Sequence, residues 1–361
     1  MKSILTIGAL QLTPYSLFIF AGALTGTLLA TRKKATRPAL PFVIGLAVIG
    51  GHLIWCLMND TSMEYYGTEL LYQFWRGGYT LYGALLGGAL GAWIGGRLSG
   101  TGFTEVTDGL APGAAAMVFF ARMGEYFSGQ GMGPSLENEE LFFFPLAYVP
   151  YGEAAEGATW YYAVWFWEAI AALILLAVLL TRRNNRRGDL TYLFVSILGI
   201  TQIFFEQIRR DDYVSLTGFV RFSQVGAMVS VIAVLIAALI RGKARAGRWI
   251  FSFATLAAAA VTVMYVEFAL DKSRYYPVLY LSTAITAGIT AAFLAFARGR
   301  SGWLPAGLFA LFGGILIFSH ALEDPEAGAY VILYGFMAWA LSGMGAVMAV
   351  SIHESRDRGN L

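Results

Sequence analysis

Long apolar runs with at most one charged residue recur along this chain of 361 residues, and they restrict its fold more than any single motif. A helix needs roughly 20 mostly apolar residues to cross the hydrocarbon core of a bilayer, and about eleven runs approach that length. They cover residues 14–30, 40–58, 79–98, 106–121, 160–180, 190–208, 219–240, 249–268, 276–296, 303–320 and 330–351. Composition agrees: 57% of residues are hydrophobic and 13% charged, against about 45–50% and about 25% in soluble domains. The expected fold is an all-α polytopic membrane protein. A net charge of +2 gives no reason to expect nucleic acid. The single cysteine, Cys56, excludes an internal disulfide and a multi-cysteine metal site. Neither a metal nor a cofactor is expected.

The loops alternate in charge. Arg32, Lys33, Lys34 and Arg37 follow the first span, and Arg182, Arg183, Arg186 and Arg187 follow the fifth. Basic groups return at Arg241, Lys243, Arg245 and Arg248, at Arg298 and Arg300, and at Arg356 and Arg358. Between them lie acidic loops carrying Asp60, Glu64 and Glu69, then Glu137, Glu139, Glu140, Glu153 and Glu156, then Asp271, then Glu323, Asp324 and Glu326. Positively charged loops stay on the cytoplasmic side. An external N-terminus, a cytoplasmic C-terminus and an odd number of spans satisfy all of them. The first span has no small-residue cleavage site after its apolar run and reads as retained. Residues 124–159 form a long, acidic, aromatic external connection, and connections of this length are usually functional.

Ionisable groups inside spans are unfavourable and point to function unless they pair with one another. Arg122 and Glu125 stand one helical turn apart at the external end of the fourth span, where a local ion pair is available. Glu168 falls about two turns into the fifth span, within YYAVWFWEAI. Gln202, Glu206 and Arg209, at i, i+4 and i+7, share one face of the sixth. His52, in IGGHLIW, reads as a hydrogen-bonded packing residue rather than a ligand. Polar bonding between helices is the structural alternative for the others. Arg122 precedes GEYFSGQGMG, where a glycine-rich segment at membrane depth offers backbone N–H groups beside a guanidinium, a pattern suited to phosphate. The glycines of RGGYTLYGALLGGALGAWIGG permit close helix approach.

These segments, in this order, resemble the prolipoprotein diacylglyceryl transferase family. GGYTLYGALLGG is similar to its GG-x-x-x-HGGL-x-G block, and TDGLAPGAAAMVFFARMGEYFSGQGMG to its D-x-x-AP…GR-x-GNF-x-NGE-x-x-G signature. WYYAVWFWEA takes the place of HP-x-QLYE, ITQIFFEQIRRDD resembles RF-x-x-E-x-x-R, and FSQVGAM takes the place of a closing glutamine-containing turn. The resemblance implies a transferase-like membrane domain over residues 1–243 and a four-helix membrane extension over 244–361. It implies transfer of diacylglyceryl from a phosphatidylglycerol-like phospholipid to the cysteine thiol of a preprolipoprotein, at the outer leaflet of a bacterial cytoplasmic membrane. It makes Arg122, Tyr82 and Glu125 the candidate catalytic residues. Tyr15, Gly129, Gly133, Glu168, Gln202, Glu206 and Arg209 would bind substrate, while Asp108, Ala111, Pro112 and Gly124 match shaping positions.

Several polar positions depart from the family pattern. Tyr82 stands where the family has its proposed histidine base, and a phenol of ordinary pKa about 10 is a poor base at neutral pH. Gln202 replaces an arginine, Glu125 and Ser128 replace two asparagines, Gln130 a glutamate and His52 an arginine, and Tyr162 and Trp165 replace a histidine and a glutamine. One arginine fewer and one carboxylate more make the implied phosphate pocket about two charges more negative. Two alternatives therefore stand beside family-type transfer. One is an altered or inactive homologue that binds lipid or a lipoprotein signal peptide. The other is a transferase with a different lipid or acceptor, which Glu125 would suit if that substrate were cationic. A transporter would show inverted repeats in its hydropathy, and none is evident.

Overall fold

The computed structural model describes residues 5–250, apart from 8–9, 75–76, 154–156, 183–186, 211–214, 218–219 and 242–248. The expected spans beyond residue 250 lie outside the described residues. The described chain is mostly helical. Its elements are α1 (Pro14–Thr31), α2 (Leu40–Met58), α3 (Asp60–Tyr66), α4 (Leu81–Leu98), α5 (Phe103–Ser128), α6 (Val164–Thr181), α7 (Asp189–Ile208) and α8 (Phe222–Arg241). Among the described residues three segments, Pro14–Thr31, Lys34–Met58 and Val164–Thr181, are long and apolar enough to cross a membrane.

Local chemistry sets several helix ends. Thr13 caps α1 in a reciprocal pair with Ser16, and Pro14 supplies a preset φ at the first helical position. Thr80 caps α4 by accepting from the Gly83 N–H at 3.2 Å. Gly129 ends α5 in a left-handed conformation, with φ 73°. The helix thus runs on through Gly124 to Ser128, so the connection expected to be external begins at Gly129 and not at 124. The fifth span is also shorter than expected: Trp160–Tyr162 is a strand, and Glu168 lies one turn into α6 rather than two.

Two compact units divide the chain. One comprises Met1–Leu198 with Ile208–Gly226, the other Gly199–Gln207 with Ala227 onward. In the first unit α2 packs on α4, α1 on α5 and α5 on α6. Glycines make the first two contacts backbone to backbone. A Cβ at Gly50 would fall 2.7 Å from the Gly83 carbonyl, and one at Gly26 2.8 Å from that of Gly113. Small residues at helix crossings are the means by which membrane helices gain close contact. Three short strands, β3 (Ser135–Leu136), β4 (Ala147–Tyr148) and β5 (Trp160–Tyr162), form an antiparallel sheet in the order β3-β5-β4. Tyr148 of β4 and Trp165 of α6 form an aromatic cluster with Tyr126 near the end of α5. Two further hairpins join β1 (Leu5–Ile7) to β2 (Leu10–Leu12) and β6 (Ser215–Thr217) to β7 (Val220–Arg221). In the second unit, Gly199 of α7 lies against Val231 and Ala227 of α8.

Candidate functional site

Four ionisable side chains from three segments meet inside the first unit. Arg122 and Glu125 come from the last two turns of α5, Glu168 from the first turns of α6, and Arg209 directly follows α7. Each is between 5% and 8% exposed. Arg122 pairs with Glu125 on its own helix and lies 3.3 Å from Glu168 Oε2 through Nε. Arg209 reaches Glu168 Oε2 at 3.1 Å and Glu125 Oε1 at 3.5 Å. Two guanidiniums and two carboxylates thus form a closed ring with no net charge. Burial of this kind is tolerated when each charge is paired and hydrogen-bonded.

Neighbouring segments hold the ring in place. Arg221, itself buried, donates through Nη2 to the Arg209 carbonyl at 2.6 Å, and its N–H donates to Gln224 Oε1 at 3.1 Å. Tyr15 of α1 packs against Gly124, where a Cβ would fall 3.0 Å from its ring. Gly131, at φ +71°, is wedged between Glu125 and Trp165: a Cβ there would fall 2.6 Å from Glu125 Oε2 and 2.7 Å from Trp165 Cβ. Glu125 Oε2, beside this glycine, and Trp165 Nε1 are buried without a hydrogen-bond partner among the described residues.

The expected residues separate accordingly. Arg122, Glu125, Glu168 and Arg209 come together, with Tyr15 alongside. Gln202 and Glu206 lie in the second unit, where Gln202 Nε2 donates to Glu206 Oε1 at 2.7 Å, as their i, i+4 spacing allows. Tyr82 is buried in α4 with its ring against Gly226, where a Cβ would fall 2.6 Å from Tyr82 Cγ. His52 is a packing residue, as its setting in α2 suggested: Nδ1 lies 3.0 Å from the Gly78 carbonyl and Nε2 2.9 Å from that of Leu70.

The glycine segment corrects one expectation. Its N–H groups do not form an open cradle, because Gly129 and Gln130 donate to the Glu125 carbonyl and Gly133 donates to Tyr162. A helix end leaves carbonyls that need donors, and these amides supply them. Gly129 therefore ends α5, and Gly133 packs against Tyr162 and Val164. Gly131, against Glu125, and Gln224, which accepts from the Arg221 N–H, carry no charge, so the spacing of charged groups did not single them out. The alternating glycines of GQGMG were the available signal for Gly131.

Apolar helices of membrane-crossing length, with buried arginines and carboxylates gathered near helix ends, define a helical membrane protein with a built polar site. The family model for prolipoprotein diacylglyceryl transferase matches residues 2–241, and the chain belongs to that family. Its relatives include the phosphatidylglycerol-prolipoprotein diacylglyceryl transferase of Gloeobacter violaceus, 27% identical over 246 residues, which span 63% of this chain and 88% of the relative. The enzyme of the same name from Nitratidesulfovibrio vulgaris strain DP4 is 26% identical over 58% of this chain and 81% of its own length. That of Bacillus velezensis is 24% identical over 65% and 90%.

Proposed function

We propose that this protein transfers the diacylglyceryl group of a glycerophospholipid to the cysteine thiol of a lipoprotein precursor. The work is done at the outer leaflet of a bacterial cytoplasmic membrane, by a domain of residues 1–243 with an external N-terminus. Residues 244–361 would form an appended membrane extension of four helices with a cytoplasmic end. Family membership supports the reaction class, and the relatives' names supply phosphatidylglycerol as their lipid. The observation that carries the reading is the convergence of Arg122 and Arg209, both buried, on the same two carboxylates.

A guanidinium has five N–H donors, so it can hold a carboxylate and a phosphate oxygen together. In this reading Arg122 and Arg209 bind the lipid phosphate and stabilise the charge that grows on it as it leaves. The thiol sulfur forms a C–S bond to the glycerol carbon, the C–O bond to phosphate breaks, and the phosphate departs with the electron pair. The departing phosphate monoester, with a second ionisation near pH 6, balances the thiol proton. Glu168, bound to both arginines, fixes their geometry, and Tyr15, Gly129 and Gly133 line the wall. Gln202 and Glu206 would contribute to substrate binding from α7.

A second reading, lipid or signal-peptide binding without turnover, is favoured by Tyr82 at the position of the family's histidine. One experiment separates the two. The chain is expressed in a bacterium depleted of its own diacylglyceryl transferase, and lipoproteins are analysed by mass. Thioether-linked diacylglyceryl that disappears with Arg122→Ala supports transfer. Confirmed membrane insertion with no such product from any glycerophospholipid overturns it, and lipid retained without product supports the second reading.

A further inference from the structure

Resting on the reading that Arg209 binds lipid phosphate, we propose that Arg221 is a positioning residue for transfer, which aims the Arg209 guanidinium by clamping the peptide bond that follows it. Arg209 is the first residue past the end of α7, whose last helical residue is Ile208. The helix no longer dictates the backbone there, and its end leaves carbonyls that need outside donors. The rotation of that backbone is therefore set by what the peptide group between Arg209 and Arg210 meets.

Both polar ends of that one peptide group are held. Arg221 Nη2 donates to the Arg209 carbonyl at 2.6 Å, and the Arg210 N–H donates to the Met132 carbonyl at 2.7 Å. Arg221 ends the β6–β7 hairpin, is 5% exposed, and has its own N–H fixed on the fully buried Gln224 at 3.1 Å. Met132 lies in a segment tied to the start of α6: the Trp165 N–H donates to the Gly131 carbonyl and the Gly133 N–H to the Tyr162 carbonyl, both at 3.0 Å. A bond from a guanidinium to a carbonyl is charge-assisted and roughly twice as strong as a neutral one. With its peptide plane held from both sides, Arg209 sends its side chain to Glu125 Oε1 and Glu168 Oε2, 3.5 and 3.1 Å away. An arginine carries its charge several bonds from the backbone, so a small turn of the peptide becomes a large displacement of the guanidinium. A misplacement of about 1 Å in a group that handles the reacting atoms can slow a reaction about hundredfold. Arg221 acts in this way without touching the lipid.

The test uses the full chain in detergent with phosphatidylglycerol and a synthetic precursor peptide bearing the acceptor cysteine, and thioether product is followed by mass. Arg221→Gln should slow transfer about tenfold, and Arg221→Lys, whose ammonium can donate to the same carbonyl, should recover most of that loss. A double-mutant cycle decides whether the effect runs through Arg209: Arg221→Gln should add no further loss in an Arg209→Gln background. Arg210→Pro opens the clamp at its other end by removing the N–H that Met132 accepts, and should also slow transfer. The Arg210 side chain is exposed, so Arg210→Ala, which keeps that N–H, should not. If Arg221→Gln does not fold, this pair carries the test. Where wild type yields no product, retention of phosphatidylglycerol by native mass spectrometry is read in the same cycle. A wild-type value in Arg221→Gln or Arg210→Pro overturns the proposal, as does an Arg221→Lys as slow as Arg221→Gln, or a loss that persists in full in the Arg209→Gln background. Arg209→Gln isolates the underlying reading: if it lowers neither rate nor retention, the assignment of phosphate to Arg209 fails, and the role of Arg221 falls with it.

Discussion

Arg209 donates to Glu168 Oε2 at 3.1 Å although the two residues are 41 positions apart in sequence. The same carboxylate oxygen lies 3.3 Å from Arg122 Nε, so Glu168, like Glu125, joins two buried guanidiniums. Removing it leaves two arginines with one remaining carboxylate between them. Glu168→Ala should therefore destabilise the protein by about 3–5 kcal/mol, the range for breaking a buried ion pair from one side. Glu168→Gln, which keeps the shape and one acceptor, should lose less. Thermal unfolding of both variants in the same detergent checks the order, and equal stability of Glu168→Ala and wild type would refute it.

Asp108 gives α7 its N-terminal cap from another helix. One carboxylate oxygen accepts from the Thr191 N–H at 2.9 Å and from the Thr191 hydroxyl at 2.8 Å, and the other accepts from the Gly188 N–H. A carboxylate at a helix N-terminus satisfies donors that the helix cannot satisfy itself and meets the positive end of its dipole. Asp108→Ala should destabilise by about 2–3 kcal/mol, combining a lost cap with lost charge-assisted bonds. Hydrogen exchange localises the effect: protection should fall first at Thr191 and its neighbours.

Hydropathy marked α2 at its observed ends, and α1 to within a residue, because each is an apolar run stopped by polar or basic residues. It stopped α5 early, since RMGEYFS is polar enough to read as a loop, although its charges pair inside the protein. The strands β3, β4 and β5 have two or three residues each, too few to show an alternation of period two. Arg122 and Glu125 were legible as a pair because helical geometry puts i and i+3 side by side. The bond from Arg209 to Glu168 was not, because it depends on how α6 and the end of α7 approach each other. Gly131 escaped notice for the same reason: its role depends on Glu125 and Trp165 arriving from either side.

His52 supplies a control that separates stability from function. Its ring is fully buried, sits between the Gly78 and Leu70 carbonyls, and contacts Phe74 and Tyr79 with centroids 4.8 and 5.4 Å away. These contacts tie α2 to the segment that leads into α4. His52→Phe keeps the aromatic bulk and leaves two carbonyls without that ring as a partner, so it should destabilise by about 1–3 kcal/mol. Lipid retention per folded molecule should be unchanged. A selective loss of lipid at full stability would instead move His52 into the binding site.

Gly131→Ala tests the wall of the site with the smallest possible change. The position has φ +71°, a left-handed conformation that disfavours any side chain by about 1–2 kcal/mol. The added methyl would also fall 2.6 Å from Glu125 Oε2 and 2.7 Å from Trp165 Cβ, so one or both must shift. Overpacking of this kind adds about 1–3 kcal/mol. The displaced carboxylate matters more than the total, because Glu125 Oε1 is held by Arg122 and Arg209 and cannot move without disturbing them. Lipid retention in Gly131→Ala should therefore fall by more than its stability loss alone produces. Comparison with Gly129→Ala supplies the reference: that glycine is also left-handed, at φ 73°, but a Cβ there meets nothing within 4 Å. The two variants should lose similar stability from backbone strain, and Gly131→Ala should lose the more lipid of the two; equal lipid retention in both would rule out the displaced Glu125 carboxylate as a cause of lipid loss.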